Sequence, residues 1–127
     1  MDREQVSLTS AEWRVMELLW KEPRTLMELV RELGNSVGWA KSTVATVVRR
    51  MEEKDLIRSE QEGRAKVFEP CFGRDEVAAA ETESLLSRVY HGSVGLMVNA
   101  LLRERSLSKK EIEELYALLE QSEEGKK

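Results

Sequence analysis

Apolar residues recur along this chain at the spacing of one helical face, and most groups are opened by a recognisable cap. Thr9, Ser10, Ala11 and Glu12 fit a capping box, in which the Thr oxygen accepts an N–H three residues on and the Glu reaches back to the cap amide. Leu8 and Trp13 flank it with the spacing of a hydrophobic staple. Trp13, Met16, Leu19 and Trp20 then share a face, and Pro23 stops this first helix. Thr25 to Glu28 is a second capping box. Behind it, Leu26, Leu29, Val30 and Leu33 follow the i, i+3, i+4, i+7 rule, with Gly34 expected just past the helix end. Val44, Val47, Val48 and Met51 predict a third helix running to about Lys54.

The period then shortens. Residues 56–60 read as a strand, 61–64 as a turn, and 65–69 as a second strand ended by Pro70. Three short helices followed by a β-hairpin is the order of a winged helix-turn-helix. Beyond it the chain turns helical again. A helix over 74–89 carries Val77, Leu85, Leu86 and Val89, and Ser93 caps a helix over 94–104 that is apolar on nearly every side. Ser108 to Glu111 is a third capping box, with Leu107 and Ile112 as its staple. It opens a last helix, to about residue 121, with Ile112, Leu115, Leu118 and Leu119 on its apolar face. Residues 123–127 read as frayed. The expected fold is mainly α with a small β-hairpin wing: a winged-helix domain over residues 1–71 and a helical domain over 72–127.

Composition narrows the function. Of 127 residues, 41% are apolar and 35% charged, against roughly 25% charged in an average globular chain. The net charge of −4 argues against coating nucleic acid through bulk charge. One cysteine, Cys71, excludes an internal disulfide and a Cys-based zinc site, and reads as a small semi-buried residue. One histidine, His91, stands before Gly92 at an inter-helix corner. Neither a metal cluster nor a nucleophile–base pair stands out, so no metal, no cofactor and no enzymatic activity are expected. No apolar stretch approaches the roughly 20 residues that span a bilayer. The charged start, MDREQ, does not read as a signal peptide, so a cytoplasmic protein without membrane insertion is expected.

The placement of charge matters more than its sum. Residues 40–66 hold seven Lys and Arg against five Asp and Glu, a local net of +2 in an acidic chain. On a helical wheel the face of the third helix opposite its valines carries Ser42, Thr46, Arg49 and Glu53, flanked by Ala45 and Arg50. Short polar side chains early and arginines later suit a helix laid in a major groove. Ser42, Thr46, Arg49 and Arg50 are therefore candidate DNA contacts, with Lys41 beside them at the helix start. Arg64 and Lys66, at and after the hairpin turn, are placed for the phosphate backbone or minor groove. An ordinary solvated helix face and β-turn would look similar. In the second domain, about 56 residues build a small core at best. The all-round apolar helix 94–104 thus predicts a homodimer through Val94, Met97, Val98, Leu101 and Leu102, supported by Ile112, Leu115 and Leu119.

Five stretches taken together, SLTSAEWRVMELLW, WAKSTVATVVRRMEEKDLI, EGRAKVFEP, VYHGSVGLMVNALL and LSKKEIEELYALLE, resemble the penicillinase-repressor (BlaI/MecI) family of bacterial transcription regulators over about residues 7 to 120. The resemblance implies a winged-helix DNA-binding domain, a helical dimerisation domain, and a dimer that represses through a palindromic double-stranded DNA operator. It also implies control of a β-lactam or cell-envelope stress response, with a membrane sensor protease that inactivates the repressor by cleavage in the dimerisation domain. Thr43, Thr46 and Arg50 match the family's Thr-x-x-Thr and Arg pattern, and the resemblance thereby adds Thr43 to the candidate DNA contacts, whereas Ala40 stands at the helix cap and Ser42 where the family carries Lys. The Asn-Phe bond cut in the resistance regulators aligns with Ala100-Leu101, with Asn99 one residue early. The Cys-x-Cys motifs of the copper-responsive branch are missing. The alternative reading, favoured by the acidity, is a winged-helix protein-interaction module that does not read DNA.

Overall fold

The computed structural model describes residues 6–125, so the expectations for MDREQ and for Lys126 and Lys127 lie outside the described residues. Helix α1, Ser10–Leu19, begins at the expected box: Thr9 Oγ1 accepts the Glu12 amide at 3.1 Å, and the Thr9 amide donates to Glu12 Oε1 at 2.8 Å. Two residues, Arg24–Thr25, form strand β1, which the sequence pattern did not reveal. Helix α2, Leu26–Val37, opens on the second box, with Thr25 and Glu28 in the same reciprocal bonds. It runs through Gly34 rather than ending there. The left-handed residue that stops it is Gly38, at φ 70°. A helix tolerates glycine at about 1 kcal/mol, whereas a positive φ nearly demands it, so the second of two glycines sets the end.

Helix α3, Lys41–Glu53, follows from Ala40, whose side chain makes no cap bond. Strands β2, Ile57–Glu62, and β3, Ala65–Pro70, pair antiparallel from Ile57↔Pro70 to Glu62↔Ala65. Two residues close this hairpin, with Gly63 at φ 61° supplying the positive φ of a tight loop. β1 adds to the far edge of β3 through Arg24↔Phe68 and Thr25↔Val67, giving the order β1-β3-β2. Helix α4 spans Arg74–Tyr90, α5 Val94–Glu104 and α6 Lys109–Gly125. The last helix therefore continues four residues past the expected 121.

The chain forms two compact units, one ending at Ser84 and the other beginning at Leu85. The first is built on Val15, Met16 and Leu19 of α1, Leu29 and Leu33 of α2, and Val44, Val48 and Met51 of α3, closed by Leu56, Ile57 and Phe68. Val77 and Ala80 join the same core, so the first turns of α4 pack with the winged helix although the pattern suggested a break at 71/72. Cys71 is exposed rather than semi-buried. It sits where the chain leaves β3, tied by its amide to the Leu56 carbonyl at 2.9 Å, with its side chain outside the core. In the second unit, Ser93 Oγ caps α5 by accepting the Leu96 amide at 3.1 Å, and Ser108 and Glu111 make the third box. His91 and Gly92 turn the chain between α4 and α5 at φ 52° and 82°.

Candidate nucleic-acid interface

The buried stripe of α3, Val44, Val48 and Met51, fixes which side of that helix faces out. Lys41, Ser42, Thr43, Arg49 and Arg50 are exposed, and Thr46 is half-buried. Arg49 donates from Nη1 to Glu53 Oε1 at 2.9 Å, an i,i+4 pair with both side chains 62% exposed. Such a pair contributes under about 1 kcal/mol, so a phosphate or a guanine edge can take Arg49 over at little cost. Arg50 has no ion-pair partner among the described residues. Nothing therefore draws it into an intradomain bridge.

The wing separates its charges by the period of the strand. Lys66 and Phe68 of β3 line a cleft of about 600 Å³ together with Ala45, Val48 and Arg49 of α3, and with Arg64 of the turn. Val67 and Glu69, one residue out of step, line a second hollow with Glu28, Glu60 and Glu62. Acidic side chains thus gather on one face of the hairpin. Arg64 and Lys66 lie toward α3, apart from that acidic cluster, while Arg58 stays with Glu69 and donates to it at 2.7 Å. Arg64 and Lys66 are exposed, and across the turn Gln61 donates from Nε2 to the Gly63 carbonyl at 3.1 Å. The candidate residues of α3 and the wing are not scattered: Arg49, Arg64 and Lys66 share one concavity.

Two features that hold this surface in place were not singled out from the sequence. Glu12 is 4% exposed and accepts from Lys54 Nζ at 2.7 Å, just past the end of α3. Burial pushes its carboxyl up, but the bonds from Lys54 and Thr9 outweigh burial and hold it below the usual carboxylate value. The capping box signalled Glu12, while its long-range partner could not be read. Arg24, 7% exposed, pairs with Glu32 of α2, and its Nε lies 3.7 Å from Glu22. At the other end of the unit, Trp13 and Trp20 stack edge to face at 5.6 Å, and the Arg74 guanidinium lies 5.8 Å from the Trp13 ring while pairing with Glu17. Trp20 Nε1 donates to the Phe72 carbonyl at 2.8 Å, so α1 anchors the start of α4.

In the second unit the expected dimer residues Val94, Val98, Leu101, Leu102, Ile112, Leu115 and Leu119 are all exposed, and Met97 is half-buried. Neither α5 nor α6 contains a buried residue. Ala100 is half-buried and Leu101 exposed, both inside α5. Among the described residues no group of His, Cys, Asp and Glu is arranged to hold a metal ion, and no helix is long and apolar enough to cross a membrane.

The chain is similar to the penicillinase repressor of Bacillus licheniformis, 31% identical over 121 residues and covering 94% of each chain. It is also similar to the methicillin resistance regulatory protein MecI of Staphylococcus aureus (strain N315), 24% identical over 120 residues, which are 94% of this chain and 98% of that one. The solution structure of the DNA binding domain of the repressor BlaI superposes with a TM-score of 0.50 at 28% identity, over 59% of this chain and 90% of that one. The family is one of transcriptional repressors and not of enzymes. A model of the penicillinase repressor family matches residues 8–121, and the chain belongs to that family.

Proposed function

We propose that this chain is a homodimeric repressor that binds a two-fold symmetric operator in double-stranded DNA and works in the cytoplasm. One observation carries the DNA half of this reading: Arg49 of α3 and Arg64 and Lys66 of the wing line a single cleft. A helix laid in the major groove with its wing on the adjacent backbone needs its cations on that shared side. The exposed Ser42 and Thr43 let the first turn approach base edges closely. The dimer half rests on α5 and α6, two helices with apolar side chains and nothing buried. Pairing two copies would cover those side chains and set two reading helices on one site.

The finer elements belong to the same reading. The regulated gene would serve a β-lactam or cell-envelope stress response, as in the relatives named for penicillinase and methicillin resistance. A sensor protease would act at Ala100-Leu101. That bond lies inside α5, so cleavage would need local opening of the helix first. Enrichment of bound fragments from a random duplex pool tests the core proposal. The expected product is a symmetric site with half-sites about one helical turn apart. Recovery of no sequence at all, with stable capture of a protein partner instead, would favour the interaction-module alternative.

A further inference from the structure

The cleft between α3 and the wing has a floor as well as a charged rim. Leu26, Met27, Ala45, Val48 and Phe68 supply apolar lining. Met27 is 53% exposed and is the one exposed large apolar side chain before Leu85, among the described residues. The rim carries three cations, Arg49, Arg64 and Lys66, against one carboxylate, Glu52, which is itself engaged by Ser59 Oγ at 3.0 Å. A volume of about 600 Å³ lies inside the range of small-molecule sites, which combine an apolar lining with a few convergent polar groups.

We propose that this cleft binds an amphiphilic organic anion, an aryl or short acyl carboxylate, and that its occupation excludes DNA. The apolar body would cover Met27 and its neighbours, and the carboxylate would pair with the rim cations. A sugar–phosphate strand satisfies the rim but is too polar to match the floor, and an uncharged apolar molecule does the reverse. The exclusion follows because Arg49, Arg64 and Lys66 are the cations assigned to DNA above, so this second half rests on the repressor reading. An anion that binds only the DNA-free protein weakens each reading head by the factor one plus its concentration over its own Kd, and weakens a dimer that engages both heads by the square of that factor. At ten times that Kd each head weakens about elevenfold and the dimer's operator binding about 120-fold, and repression is relieved without cutting the chain.

The test is a titration of the full chain, labelled at Met and Ala methyl groups, with 4-phenylbutyrate and no DNA present. Saturable shifts at Met27 and Ala45 are expected, with inorganic phosphate and 4-phenyl-1-butanol at least tenfold weaker. Met27→Ser lies at an exposed position, so it should keep the thermal midpoint and the DNA affinity while losing tenfold or more in 4-phenylbutyrate binding. Unsaturable shifts, or equal shifts with the alcohol, would overturn the site. So would a Met27→Ser chain that loses DNA and 4-phenylbutyrate affinity alike, since the floor would then belong to DNA. If the unaltered chain binds no duplex, the repressor reading falls, and the methyl titration still decides the anion site.

Discussion

Glu12 links two helix ends with one carboxylate, and the link responds to pH. One oxygen closes the α1 capping box and the other holds Lys54 beyond α3. Its folded value lies below the ordinary 4.5. A group of this kind stabilises the fold at pH above its unfolded value. That contribution is lost as pH falls from about 4.5 through the lower folded value. Glu12→Gln keeps an acceptor for the Thr9 amide but loses the charge, and should cost about 1 kcal/mol at pH 7. Urea midpoints of the two chains should converge on acidification. A gap that stays constant from pH 7 to 3 would mean that the Lys54 bond contributes nothing. On the DNA face, Arg49→Ala should cost about 1–3 kcal/mol on the selected site and far less on random duplex. Arg64→Ala should weaken both duplexes and flatten the salt dependence by about one unit. Equal losses on both duplexes would reassign Arg49 to the backbone. At this scale the sequence placed Ser42, Thr46, Arg49 and Arg50 by helical period and Arg64 and Lys66 by the hairpin turn. It could not reveal Glu12–Lys54 or Arg24–Glu32, because one is set by packing between distant segments and the other by burial that no local pattern encodes.

Elements were legible where a cap and a period agreed. α1 and α5 start at their predicted capping residues, and the hairpin turns at Gly63. Legibility failed at one helix end and at one very short strand. Gly34 has the composition of a helix end but the backbone of a helix interior, and β1 is too short at two residues to show alternation. The uncapped start of α3 offers a direct check on how much a cap contributes. Ala40 has the extended backbone of an N-cap, φ −70° and ψ 155°, with no oxygen to accept an amide. Ala40→Ser should therefore add about 1 kcal/mol of stability without any change of backbone. Gly38→Ala should do the opposite by about 1 kcal/mol, since a Cβ there meets open space but is held at φ 70°. Thermal midpoints moving a few degrees in opposite directions would bear out both. An unchanged midpoint for Ala40→Ser would show that water already satisfies the first amides of α3.

For the whole molecule, the deciding quantity is the apolar surface that α5 and α6 leave uncovered. Leu96, Leu101, Leu102, Leu118 and Leu119 are between 46% and 65% exposed, beside Val94 at 58%. Exposed apolar side chains are ordinary when scattered, but two consecutive helices with none buried leave their apolar side chains in water, which disfavours them at about 25 cal/mol per Å². A second copy of the chain is the partner that is always present at matching concentration. The period of the sequence marked these positions as apolar, and their exposure in a single chain is what supports the proposed interface. Leu101→Asp places a charge on that surface, and should halve the sedimenting mass at micromolar concentration. Asn99→Asp puts the same charge on an exposed polar position of the same helix, and should leave the mass unchanged. Operator affinity should fall steeply with Leu101→Asp alone, because two tethered reading heads see each other's half-site at high effective concentration and two separate ones do not. The DNA face is untouched by this change, so binding to a single half-site should persist at its weaker intrinsic value. A Leu101→Asp chain that sediments like the unaltered one would remove α5 from the interface. A monomeric chain with full operator affinity would show that one winged helix suffices and that symmetry in the site is unnecessary.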